Sequence, residues 1–372
     1  MAIADHLGLF LCGDVMTGRG IDQILPYPGD PTLYEPSVKS SLDYVELAEQ
    51  ASAPIDRPVD FSYIWGDALE ILHHEKPQAR IINLETAITR NDVPWRGKEI
   101  HYKMSPENVG CLTAAAIDCC TLANNHILDW QIPGLIDSLK ALDQAGIKHA
   151  GAGLSARAAQ QPALLPVGDA SSVFVFGLGS TTSGIPLSWS AEDDRPGLYV
   201  IEAQRTDPIP RLAQQIEKMK RPGDIAIASI HWGGNWGYTI PGVQRKFAHR
   251  LVEEAGIDIV HGHSSHHVKA IEVYKERLIL YGCGDFFNDY EGIRGNEEFR
   301  GDLALMYFVD VDRANGKLIE LRMAATQVRR FRVCRAGKGD CQRLEALLNR
   351  EGKRFHTGAK LNAENTMALC WD

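Results

Sequence analysis

The stretch Leu7-Gly8-Leu9-Phe10-Leu11-Cys12, followed at once by Gly13-Asp14-Val15-Met16, decides how this chain is read. A short, mostly apolar run that stops at a glycine reads as a buried strand; it is too short for a core helix. A carboxylate just past such a strand is held by the sheet yet faces a loop. The same arrangement returns four times: Asn83-Leu84-Glu85-Thr86 after Ala79–Leu84, Asn124-Asn125-His126 after Cys119–Leu122, His231-Trp232-Gly233-Gly234 after Asp224–Ile230, and His261-Gly262-His263-Ser264-Ser265-His266-His267 after Ile257–His261. Further strands are expected at Val173–Gly177, Arg277–Tyr281 and Leu303–Asp310, and helices at Ser41–Gln50, Pro133–Ala145 and Val243–Ala255. Strands alternating with helices predict an α/β protein, and carboxyl ends of strands are where such folds assemble sites.

The composition of the 372 residues is that of a globular protein, 44% hydrophobic and 23% charged. Length alone allows about two domains at ~150 residues each, or one larger α/β unit. A net charge of −9 argues against nucleic acid as a partner, because neutralising phosphates needs a basic surface. No apolar run reaches the ~18–20 residues that span a bilayer, and Ile3–Cys12 carries Asp5 and His6 with no basic flank, unlike a signal peptide. The eight cysteines form no CxxC pair and lie mostly in apolar runs, as buried thiols do. These features together predict a cytoplasmic chain with no membrane contact. Six prolines between Pro26 and Pro58 mark an inserted loop region, and residues 321–355, with ten Lys/Arg against three Asp/Glu, predict a solvated helical segment around Cys341–Arg350.

Carboxylate, amide and imidazole groups in this order, each at a strand end, suit a hard or borderline divalent cation. The segments GDVMTGRG, NLETA, NNHILDW, HWGGNW, GHSSH and YGCGDFFND, within about residues 7–310, resemble the motif series of the CapA family, named for a poly-γ-glutamate capsule protein. That family is similar in turn to the calcineurin-like metallophosphoesterases. The resemblance implies a four-layer α/β/β/α sandwich, expected as one domain over residues 1–330 that holds the loop insertion at about 26–60, with a helical or irregular appendage at 331–372. It also implies a metal centre at the strand tips. Asp14, Glu85, Asn125, His231 and His266 would be ligands, and His126, Asp129, His263 and Asp285 acid/base groups, with Asp129 orienting His126 and Asp285 pairing with His263 or His266.

Departures from the relatives shape the functional expectation. The phosphoesterases begin with Asp-x-His where this chain has Asp14-Val15-Met16, and Glu85 replaces their bridging Asp. One oxygen-rich site for Ca²⁺ or Mg²⁺, with Mn²⁺ or Zn²⁺ as alternatives and no organic cofactor, is therefore expected rather than two tightly held metals. Asp285 stands where CapA proteins usually carry Asn, and Asn235-Trp236 where they carry Glu-Tyr. CapA proteins of capsule systems generally carry an N-terminal membrane anchor, and none is expected here. Two His/Asp pairs beside a cation suit inversion of a peptide α-carbon, which needs a base on one face and an acid on the other. Some CapA-like proteins of lasso-peptide pathways act in this way. The expectation is a metal-dependent peptide epimerase acting on a ribosomal, lasso-type precursor. The alternatives are a poly-γ-glutamate synthesis accessory protein or peptide hydrolase, and a metallophosphoesterase. Trp65, Trp95, Trp130, Trp189, Trp232 and Trp236 are candidates for a peptide pocket, and Arg19, Arg96 and Lys103 for a substrate carboxylate.

Overall fold

The first strand, β1 (His6–Val15), shows how the layers are built. Alternate side chains of a strand point to opposite faces: Leu7, Leu9 and Leu11 enter one buried cluster, while Phe10 and Cys12 enter another. The strand therefore has protein on both sides. The computed structural model describes residues 6–168, 171–202 and 207–372. Along the chain the other strands that matter here are β2 (Ala79–Leu84), β3 (Cys119–Thr121), β4 (Ser171–Ser180), β5 (Ile225–His231), β6 (Ile259–His263), β7 (Asp285–Phe287), β8 (Leu303–Asp312) and β9 (Leu318–Arg329).

Two large sheets result. One runs Thr357–Leu361, Thr366–Trp371, β9, β8, β1, β2, β3, Lys148–Ala150, with β7 beside β1 and Arg332–Arg335 beside β9. The other runs Val200–Ile201, β4, β5, β6, Arg277–Leu280, Ile271–Tyr274, with Ala163–Val167 also on β4. Leu7, Leu9, Leu11, Ile81 and Leu305 of the first sheet share one core with Val173, Val175, Ile225, Ile227 and Ile259 of the second, so the sheets pack face to face. The helices α1 (Leu42–Ala51), α2 (Asp67–Glu75) and α3 (Gln131–Gln144) bury Val45, Ile71 and Leu139 on the outer face of the first sheet. The helices α4 (Ile209–Met219) and α5 (Gly242–Glu253) bury Leu212 and Leu251 on the outer face of the second. The α/β/β/α order anticipated from the motifs is the observed one.

The C-terminal segment corrects an expectation. Residues 331–372 are not an appendage: they contain a helix, α6 (Lys338–Gly352), and three strands that extend the first sheet. Cys341, Leu344, Leu348, Ala359, Met367 and Leu369 all join the core between the sheets. The helix anticipated at Cys341–Arg350 is thus there, with one face buried. The insertion at 26–60 holds α1 and otherwise mostly turns and short bridges. No helix among the described residues is long and apolar enough to cross a membrane.

Candidate metal and acid/base site

β1, β2, β3 and β7 are parallel neighbours in the first sheet, as are β4, β5 and β6 in the second, so their carboxyl ends come out together. The register of β1 breaks on both sides of Asp14: between Leu11 and Asp14 against β2, and between Asp14 and Val15 against β7. Bulges of this kind re-aim a side chain. Here the break turns Asp14 inward, with its N–H donating to the Gly284 carbonyl at 2.9 Å. Gly13 has to be glycine, since a Cβ there would lie 1.8 Å from that carbonyl oxygen.

Asp14, His231 and His263 form the tightest group, with one ligand atom of each within 4.8 Å of the others. His231 Nδ1 and His263 Nδ1 stand 3.8 and 3.6 Å from Asp14 Oδ1. Asn83 Nδ2 donates to the same oxygen at 2.6 Å, and the Ser264 N–H to Oδ2 at 3.0 Å. Glu85 joins from β2: its Oε1 lies 3.8 Å from His231 Nε2 and 3.7 Å from His126 Nε2, while its Oε2 is buried without a hydrogen-bond partner. Asn125 Oδ1 faces His231 Nε2 at 2.7 Å. The loop that presents it is fixed by Asn124, whose Oδ1 accepts from the N–H groups of His126 and Ile127.

Two imidazole–carboxylate pairs flank this group. His126 Nδ1 donates to Asp129 Oδ2 at 2.6 Å, and Asp129 also accepts from the Tyr102 N–H at 2.7 Å and from Lys98. His266 Nδ1 lies 2.9 Å from both oxygens of Asp285, and Asn288 holds that carboxylate at 2.7 Å. The geometry thus exchanges two of the anticipated places: His266 meets Asp285, and His263 stands with Asp14 and His231. The other sequence-derived site residues, Asp14, Glu85, Asn125, His126, Asp129, His231 and Asp285, converge as a group.

Burial, and then the neighbouring Asp285, push the Asp14 carboxyl up to about 7; burial also raises Glu85 well above the carboxylate range. Burial lowers His231 and His263 well below the usual imidazole value and takes His126 down to about 4. Burial would lower His266 too, but Asp285 holds it above its usual value. Crowded carboxyls that resist ionisation, bare imidazoles and an unpartnered Glu85 oxygen are what a divalent cation satisfies. The donor set therefore fits a cation, with Asp14, His231 and His263 as the ligands closest together and Glu85 and Asn125 within reach.

Some anticipated groups lie elsewhere. The Arg19 guanidinium is buried between Asp289 and Glu35, so it has no charge left for a substrate carboxylate. Lys103 lies over the Trp130 ring. Trp65 and Trp130 are core residues, Trp95 packs on Trp189, and Trp232 donates to the Tyr281 carbonyl. Trp236 is different: it packs 5.4 Å from the His266 ring and lines an open cleft of about 750 Å³ with Asn235, Tyr290, Arg294 and Arg329. Lys98 was missed, although it lies two residues from Arg96, because spacing does not say which cation of a loop turns inward.

The profile of the family described as bacterial capsule synthesis protein PGA_cap matches residues 8–290. The chain belongs to this family. It is 48% identical over 368 residues to the probable polyglutamine synthesis accessory protein of Mycobacterium tuberculosis, covering 98% of this chain and 96% of that one. Its identity to the PGA biosynthesis protein CapA of Bacillus subtilis is 27% over 287 residues, covering 77% of this chain and 64% of that protein. A solved structure of a phosphatase from Mycoplasma pneumoniae matches with a TM-score of 0.46 at 13% identity, over 86% of this chain and 93% of that one. The CapA resemblance of the motifs is borne out.

Proposed function

We propose that this PGA_cap protein is a metal-dependent enzyme that hydrolyses amide bonds in a glutamate-type polymer, as an accessory to the polymer's synthesis. The observation that carries the reading is the pair of separate acid/base units, His126–Asp129 and His266–Asp285, on either side of the Asp14/His231/His263 group. The names of the relatives, polyglutamine for one and PGA for the other, support a polymer of glutamate or its amide. A cation bound at that group would act as a Lewis acid on the substrate carbonyl. The rest falls to the protein's own groups. A neutral imidazole at His126, kept bare at Nε2 because Nδ1 is bound to Asp129, is able to take a proton from water. His266, whose hold on its proton is strengthened by Asp285, is able to give one to the leaving amine. Lys98 steadies the first pair through Asp129.

The same two pairs support Cα inversion, the chemistry anticipated from the sequence, as a second reading; the relatives, named for polymer synthesis, favour the first. One experiment separates them. The protein is incubated in D₂O with γ-linked and α-linked oligoglutamate and with a generic phosphodiester, with Mg²⁺, Ca²⁺, Mn²⁺ or Zn²⁺ in turn or with chelator. Metal-dependent fragments that together gain one water support hydrolysis. Deuterium at Cα in an uncleaved chain supports inversion, and phosphate ester cleavage alone supports a phosphoesterase. An oligoglutamate left whole under every cation rules the first reading out.

A further inference from the structure

Behind the Asp14/His231/His263 group a chain of hydrogen bonds runs through the space between the sheets, and counting protons along it assigns the ring nitrogens. His261 is fully buried, and its Nε2 lies 2.7 Å from the Cys12 carbonyl oxygen. A carbonyl only accepts, so Nε2 carries the hydrogen and Nδ1 is bare. The partner of that bare nitrogen is Ser229 Oγ at 3.1 Å, which directs the single hydroxyl proton to it. Ser229 Oγ is then an acceptor toward His263 Nε2 at 2.9 Å, so His263 also carries its hydrogen on Nε2. On the opposite side Asn125 Oδ1 accepts from His231 Nε2. Both Nδ1 atoms are left bare, facing each other at 2.9 Å beside the Asp14 carboxyl.

We infer that Ser229 and His261 are positioning residues that hold His263 in the tautomer whose Nδ1 faces a divalent cation shared with Asp14 and His231. The assignment rests on the metal reading of the site. Groups that bind the far nitrogen of a ligating imidazole fix its tautomer, and their loss costs about 10–100-fold in metal affinity. Two substitutions act on the relay in different ways. Ser229→Ala removes the acceptor at His263 Nε2 and leaves that ring's tautomer unspecified. His261→Phe removes the acceptor of the Ser229 proton, which then divides between His263 Nε2 and Thr121 Oγ1, 3.1 Å away, and gives His263 an Nδ1–H population.

Long-range ¹H–¹⁵N spectra of the metal-free protein read the tautomer, and calorimetric titration with Mn²⁺ reads the affinity. In the wild type His263 is expected as Nε2–H; in Ser229→Ala and in His261→Phe it becomes mixed, each with Mn²⁺ affinity lower by about 10–100-fold. A wild type that shows His263 as Nδ1–H, or variants that keep both tautomer and affinity within twofold of wild type, overturn the relay alone. A wild type that binds none of Mg²⁺, Ca²⁺, Mn²⁺ and Zn²⁺ overturns the metal reading and the relay with it.

Discussion

Asp14 is a carboxyl with half of its needs met: Asn83 and the Ser264 N–H each give it one hydrogen bond, yet burial and Asp285 still oppose its charge. Asp14→Asn should lower bound metal at least tenfold by elemental analysis while leaving the metal-free melting temperature no lower, because the amide removes a buried charge in conflict with Asp285. A cation needs the ionised carboxylate and competes with its proton. Since the carboxyl titrates at about 7, affinity for Mn²⁺ should fall as pH drops from 8 to 6, and calorimetry at the two values checks the sign. His126→Ala should retain the metal but lower kcat by about 10²–10⁴, seen in steady-state assays on the substrate identified above. Most of these residues were legible because each follows an apolar run. The partner of Asp285 was not legible, because it depends on Ser264: this residue takes φ 98°, a strained conformation for a side chain, as its N–H turns to Asp14. Only the backbone shows that this turn carries His266, not His263, over to Asp285.

At the level of elements, the close pairing of β1 with the segment before β7 is what aims Asp14. Gly13→Ala would drive a methyl into the Gly284 carbonyl, where the obstructing atoms are backbone and not a side chain that can turn away. The expected result is destabilisation of more than ~3 kcal/mol, beyond ordinary overpacking, measured by denaturant unfolding. Strands such as Ala79–Leu84, with Arg80 the only charge in its run, announced themselves in the sequence. The final strands did not. Thr366–Trp371 is short and lies just beyond Asn362, Glu364 and Asn365, so local polarity masked the alternation that buries Met367 and Leu369. Membership of a sheet made from strands hundreds of residues away has no local signal.

For the whole molecule, those last strands belong to the main sheet and to the core between the sheets. Removing residues 357–372 would bare the Arg322–Ala324 part of β9's edge and strip out Met367 and Leu369, costing about 3–6 kcal/mol at ~1.5–3 kcal/mol per side chain. Thermal unfolding and light scattering of the truncated chain should report a lower transition and aggregation; an unchanged melt would mean the segment is dispensable. The closest ligand atoms come from both halves of the sandwich, Asp14 from one sheet and His231 and His263 from the other. Whatever ion seats there is therefore also a clasp across the seam, so chemistry and mechanical cohesion share one bond set. At an ion concentration of 100 Kd the seam gains about 2.7 kcal/mol, and amide exchange along the strand tips should slow in step with it.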